Sequence, residues 1–102
     1  MTEHNKLVRD KIPEIIRASG KTPVTHMAEA EEFDQALVNK LDEEVREFTA
    51  SGSPEELADV LEVIDAICAA RGMNKSDLRK LKDKKTKERG SFSKRIILDS
   101  VE

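Results

Sequence analysis

The stretch KLDEEVREFTASGSPEELADVLEVIDAI, residues 40–67, contains two apolar helical patterns separated by a Ser-Gly-Ser-Pro break. Glycine commonly ends a helix, and proline is tolerated in the first turn of the next one, so the break predicts a turn between two helices. Because a connection this short returns the chain alongside itself, the two helices should form an antiparallel hairpin. The stretch therefore predicts an all-α fold.

Each of these helices carries two acidic residues spaced three positions apart, Glu44 with Glu47 and Glu56 with Asp59. At about 100° of rotation per residue, Glu44 and Glu56 fall inside the apolar arcs of their helices. Carboxylates that face a core need a cation or hydrogen bonds to compensate their charge. Oxygen-only ligands on rigid helices favour a hard divalent cation, so the pattern predicts a site for Mg²⁺, with Mn²⁺ as the alternative.

Both acidic pairs also have ordinary structural interpretations. Acidic residues at this spacing are common on solvent-exposed helix faces, where they bind nothing. Glu56 has a further competing role, because Ser53 and Glu56 match the S-x-x-E capping box that starts a helix.

The remaining chain predicts an antiparallel bundle of about four helices in one domain, residues 1–102. The long helices should cover residues 29–51 and 54–71, with a short helix before them and a basic helix from residue 74 or 76 to residue 89. Residues 21–28 and 95–98 are rich in β-forming side chains. We expect at most a short two-stranded pairing between these two segments.

Composition narrows the class of protein. The chain has one cysteine, Cys68, three Phe and neither Trp nor Tyr. A lone cysteine in an apolar arc suits a buried thiol in a reducing cytoplasm, and no apolar run approaches the length of a membrane span. The scarcity of aromatic side chains argues against a stacking surface for nucleic acid. We therefore expect a cytoplasmic protein.

Charge is distributed unevenly along the chain. Residues 1–70 carry 16 acidic and 7 basic side chains, whereas residues 71–95 carry 3 acidic and 11 basic ones. The basic helix has only Leu78 and Leu81 as an apolar stripe. It is interpreted either as a solvated helix or as a lid over a polyphosphate, with a nucleic-acid surface as a third interpretation.

These motifs resemble a known superfamily. EEVRE at residues 43–47 and ELAD at residues 56–59 resemble the EExxE and ExxD signature of the all-α nucleoside triphosphate pyrophosphohydrolases, the MazG-like superfamily. NKLVRDKIPEII at residues 5–16 and KERGSFSKRIIL at residues 87–98 resemble a branch labelled phosphoribosyl-ATP pyrophosphohydrolase-like. Eight residues separate Glu47 from Glu56, fewer than in many members, so the substrate pocket should be smaller or differently walled.

The resemblance implies Mg²⁺-dependent hydrolysis of a nucleoside triphosphate to the monophosphate and pyrophosphate, with removal of non-canonical nucleotides as one role. It implies a homodimer or homotetramer. By match to the motif, the metal ligands are Glu44, Glu47, Glu56 and Asp59, and Glu43 and Glu44 are the catalytic carboxylates.

Cationic side chains should complete the charge balance around the triphosphate. The candidates for substrate binding are Lys6, Arg9, Lys11, Lys84, Lys87 and Arg89. The alternative is a non-catalytic helical module that binds nucleic acid or an acidic partner through its basic C-terminal helix, with the carboxylates paired to Lys and Arg.

Overall fold

A computed structural model describes residues 5–102 and contains four helices over this range: α1 (Ile12–Ala18), α2 (Ala30–Ser51), α3 (Pro54–Ala70) and α4 (Lys75–Arg89). Both bounds of α2, α3 and α4 lie within one residue of those expected for the two long helices and the basic helix. The all-α prediction and the number of helices are therefore confirmed for the described residues.

The turn between α2 and α3 follows the expected chemistry. Gly52 adopts the left-handed conformation (φ 67°, ψ 13°), and its N–H donates to the carbonyl of Phe48 at 2.7 Å. Ser53 then caps α3 by accepting from the N–H of Glu55, and Pro54 occupies the first turn. A side chain beyond glycine would strain the left-handed position. The turn thus reverses the chain within two residues.

The hairpin of α2 and α3 holds the core. Leu37, Val63 and Cys68 are buried, and Cys68 is the buried thiol that the sequence predicts. At the open end of the hairpin, the guanidinium of Arg71 donates to both carboxylate oxygens of Asp34, at 3.0 and 3.3 Å. Apolar burial and this bidentate pair hold the two helices side by side.

The two remaining helices contribute little to this core. Neither α1 nor α4 contains a buried residue, and α2 with α3 is the one extensive helix–helix contact in the described part of the chain. The radius of gyration is 17.9 Å, well above the roughly 13 Å of a compact chain of about 100 residues. The molecule measures 59 × 31 × 24 Å, so it is an elongated hairpin with two peripheral helices.

The two-stranded pairing, the most strand structure that the sequence led us to expect, does not form in residues 5–102, which contain no strand. Residues 21–28 are exposed apart from Pro23, and Ile96, Ile97 and Leu98 are 76–81% exposed. Neither segment rests on a helix layer. An isolated strand pair without an apolar face to bury is marginal in water, so β propensity alone does not form one here.

Candidate metal centre

Glu44 is the most deeply buried charged side chain described in the structure. The residue is 5% exposed because α2 places it on the face directed at α3. Apolar side chains, not a carboxylate, are expected on that face. Its Oε1 lies 3.3 Å from the ammonium of Lys40, while Oε2 is sealed from solvent without a hydrogen-bond partner. An unpartnered buried carboxylate oxygen is costly, and a cation is the usual compensation.

Glu44 belongs to two groups of carboxylates at once. One group joins Glu44 with Glu56 and Asp59 across the two helices, and the other joins it with Glu43 and Glu47 along α2. Within each group, one carboxylate oxygen per residue lies within 4.8 Å of the others. The hairpin therefore brings together the four predicted ligands, with Glu44 as the member common to both groups.

The competing structural role of Glu56 is not realised. Ser53 forms its cap with Glu55: it accepts from the Glu55 N–H, and its hydroxyl donates to the Glu55 carboxylate. The N–H of Ser53 donates to the hydroxyl of Ser51, where a capping box would have used Glu56. The Glu56 carboxylate therefore takes no part in the cap and lies beside the carboxylates of Glu44 and Asp59.

Lys40 is a site residue that the sequence interpretation missed. Its side chain is 16% exposed, and its ammonium lies 3.4 Å from Glu43 and 3.3 Å from Glu44. Residues three and four positions apart meet on one helix face, so the spacing of Lys40 to the two glutamates was the available signal. Lys40 supplies part of the charge compensation from within α2.

The arm that precedes α1, residues 5–11, supplies the remaining cations. Lys6 donates to Glu43 at 3.1 Å, and Arg9 donates to Asp59 at 2.7 Å. The arm therefore reaches both helices of the hairpin. Sequence interpretation placed Lys6 and Arg9 at the site as ligands of a substrate, whereas in this structure they contact the carboxylates themselves.

The other predicted cations do not reach the carboxylates within this chain. Lys11 forms no ion pair in the described range, and Lys84 lies 3.9 Å from Glu88 on its own helix. Lys87 and Arg89 lie in the last turn of α4, which is fully exposed. A role for Lys84, Lys87 and Arg89 at this site requires a second copy of the chain or a movement of α4.

The two central glutamates have pKa values shifted in opposite directions. Burial raises the pKa of Glu44, the charges of Glu47 and Asp59 act in the same direction, and Lys40 opposes them without prevailing. Burial also acts to raise the pKa of Glu43, but its hydrogen bond with Lys6 and the charges of Lys40 and Lys6 outweigh burial, and the pKa is lowered. Glu43 is therefore the better stabilised anion.

The outer side of the site is open. A shallow depression of about 400 Å³ follows one side of α2, and its lining includes Glu43 and Glu47. A single helix cannot enclose a ligand, so this depression lacks an opposite wall within the described chain. Glu43 and Glu47 are consequently accessible to a solute from the α2 side, whereas Glu44 is buried behind them.

The donor set fits a hard divalent cation. Five carboxylates, those of the two groups, face three cations, Lys6, Arg9 and Lys40, which leaves an excess of two negative charges. All candidate ligand atoms are carboxylate oxygens on two packed helices, which suits Mg²⁺ or Mn²⁺ better than Zn²⁺. The unpartnered Oε2 of Glu44 is the atom whose environment most requires such an ion.

Comparison with known proteins gives one partial match. Over 46 residues the chain is 56% identical to an uncharacterized protein of Mycolicibacterium smegmatis. The matched stretch covers 45% of this chain and 47% of that protein. The chain thus matches about half the length of this relative. No protein-family model matches the chain, and no solved structure matches it. Among residues 5–102, no helix combines the length and apolar character needed to cross a membrane.

Proposed function

We propose that this chain is a Mg²⁺- or Mn²⁺-dependent nucleoside triphosphate pyrophosphohydrolase of the MazG-like kind. The observation that carries the proposal is the buried Glu44, whose Oε2 has no hydrogen-bond partner and whose carboxylate belongs to both carboxylate groups. The sequence resemblance suggests the reaction, and the clustered carboxylates support a metal site.

In this proposal, Glu44, Glu47, Glu56 and Asp59 hold the metal. When bound, the ion supplies neutralisation of the triphosphate and polarisation of the phosphorus that is attacked. Lys6 and Lys40 lower the pKa of Glu43 and so stabilise its carboxylate form, which can accept a hydrogen bond from the attacking water and orient it. Lys40 holds Glu43 and Glu44 at a fixed separation by contacting both carboxylates.

The open side of the site suggests how the pocket is completed. Because α2 alone lines the depression beside Glu43 and Glu47, we propose that a homodimer or homotetramer supplies the missing wall. The exposed cations of α4, including Lys84, Lys87 and Arg89, then have a route to the substrate from a neighbouring chain.

The experiment is an assay of nucleoside triphosphates with Mg²⁺ that measures pyrophosphate and orthophosphate separately. The wild-type protein should release pyrophosphate. Glu44→Gln and Asp59→Asn should each lower the rate by roughly 10²–10³-fold, the loss typical of removing a group that supports transition-state charge.

The matched control is Glu62→Gln, because Glu62 is an exposed glutamate of α3 outside both carboxylate groups. This variant should keep the wild-type rate. Release of orthophosphate alone, or equal losses in Glu62→Gln and Glu44→Gln at unchanged helicity, would contradict the proposal.

A second candidate function rests on α4. This helix carries eight basic and three acidic side chains, and every residue in it is exposed. Such a surface suits a non-catalytic module that binds nucleic acid or an acidic partner. If this is the function, DNA or RNA should bind with an affinity that falls steeply with salt, and Mg²⁺ should not raise the melting temperature.

A further inference from the structure

The arm is fastened to the hairpin by charged side chains. Arg9 contacts Asp59 and Lys6 contacts Glu43, across 50 and 37 positions of sequence. No backbone hydrogen bond joins residues 5–11 to α2 or α3 within the described chain. The middle of the arm packs more closely than its ends, since Leu7 and Val8 are half-buried. The arm is therefore held by two ion pairs and by the partial burial of two apolar side chains, and only the ion pairs involve the carboxylates of the site.

The carboxylates that hold the arm also belong to the metal centre. Asp59 is a member of the group with Glu44 and Glu56, and Glu43 is a member of the group along α2. The side chains of Lys6 and Arg9 are 44% and 56% exposed, so each pair is a solvent-accessible contact of modest strength. A carboxylate oxygen that ligates a divalent cation is a weaker partner for a guanidinium or an ammonium.

We propose that the arm is an electrostatic strap, which closes on the carboxylates when they hold no metal and is released when a divalent cation binds them. This inference rests on the metal site of the proposed function. The strap compensates two of the five carboxylate charges before the cation arrives. Metal binding frees Lys6 and Arg9 for an anionic ligand, so the cation binds first and the phosphate second.

The first test measures Mn²⁺ binding directly from the electron paramagnetic resonance signal of free Mn²⁺. In Arg9→Gln the strap no longer competes for Asp59, so the protein should bind Mn²⁺ roughly two- to fivefold more tightly, the range that an exposed ion pair contributes. The matched control is Arg17→Gln on α1, which removes the same charge from a residue without an ion pair in the described chain. It should bind Mn²⁺ as the wild type does.

The second test separates release of the strap from a general charge effect. Trypsin cleavage after Lys6 is followed by mass spectrometry, with cleavage at Lys94 and Arg95 in the exposed C-terminal segment as the internal reference. Mn²⁺ should accelerate cleavage after Lys6 severalfold in the wild type and leave the reference unchanged. In Arg9→Gln this bond should be cut rapidly without Mn²⁺, and the ion should add little.

The outcomes separate the strap from the proposed function. If Mn²⁺ binds but leaves cleavage after Lys6 unchanged or slower, the strap is wrong and the metal site stands. If Arg9→Gln binds Mn²⁺ more weakly than the wild type, Arg9 supports the site and the strap is also wrong. If the wild type binds no Mn²⁺, the metal-dependent function and the strap both fail.

Discussion

Glu43 and Glu44 are neighbours in sequence but occupy different electrostatic environments. Glu44 points into the hairpin and meets other carboxylates, whereas Glu43 faces the arm and receives Lys6 as well as Lys40. The folded chain therefore holds a proton on Glu44 more tightly than the unfolded chain does, and a proton on Glu43 less tightly. These opposite shifts make a prediction about the stability of the metal-free protein.

Glu44 should stabilise the fold below its ordinary pKa of 4.5 and lose that contribution as the pH rises through its raised folded pKa. Glu43 should stabilise the fold above 4.5 and lose that contribution as the pH falls through its lowered folded pKa. The free energy of unfolding of wild type, Glu44→Gln and Glu43→Gln, measured by urea titration with a chelator from about pH 3 to pH 7, tests both signs.

The advantage of wild type over Glu44→Gln should grow as the pH is lowered, whereas its advantage over Glu43→Gln should grow as the pH is raised. Each variant serves as the control for the other, since both remove one carboxylate from the same helix turn. Two differences that are flat, or that run in the same direction with pH, would contradict the assigned environments.

Removing the caps of α3 and α4 tests whether each helix unfolds in the same transition as the α2–α3 hairpin. Ser53 and Asn74 are equivalent caps, since each side chain accepts from the N–H two residues later. However, α3 packs along α2, whereas α4 contains no buried residue. Helical stability in proteins comes largely from tertiary packing, so loss of the same capping contact should have different consequences in the two helices.

Ser53→Ala should lower the free energy of unfolding by about 1 kcal/mol and the melting temperature by roughly 4–8 °C. Asn74→Ala should reduce the circular dichroism signal of helix before melting and leave the main transition where it is. Thermal melts recorded at 222 nm distinguish these results. An equal drop in melting temperature for both variants would show that α4 melts together with the hairpin.

The element boundaries were predictable because caps and turns depend on neighbouring residues. Gly52, Ser53 and Pro54 are consecutive, and their conformational preferences set the turn independently of distant parts of the chain. The two-stranded pairing did not form because a strand needs a partner and an apolar surface, and residues 95–98 have neither here. Propensity without a packing partner is a weak predictor.

The whole molecule exposes apolar side chains that a hairpin alone cannot cover. Each helix of the described chain has one extensive neighbour at most, and Val45, Leu57 and Leu61 are 46%, 48% and 64% exposed. Exposed large apolar residues on a thin molecule are typical of chains that associate. The proposed homodimer or homotetramer would bury this surface.

Light scattering coupled to size-exclusion chromatography should give the mass of two or four chains of 11.5 kDa. Leu61→Glu places a charge in the apolar surface and should reduce the mass to that of one chain. Val24→Glu is the control, because Val24 is 91% exposed in the segment before α2. A wild-type protein that elutes as one chain while it releases pyrophosphate would refute the assembly.

Local pattern was enough to anticipate the helices, the turn and the inward direction of Glu44, because helical periodicity and capping act over a few residues. It was also enough, in principle, to find Lys40 beside Glu44. The contacts of Lys6 with Glu43 and Arg9 with Asp59 came from the folded chain, since these partners lie 37 and 50 positions apart. Charge attracts without regard to sequence position, so which cation meets which carboxylate depends on where the hairpin and the arm bring them.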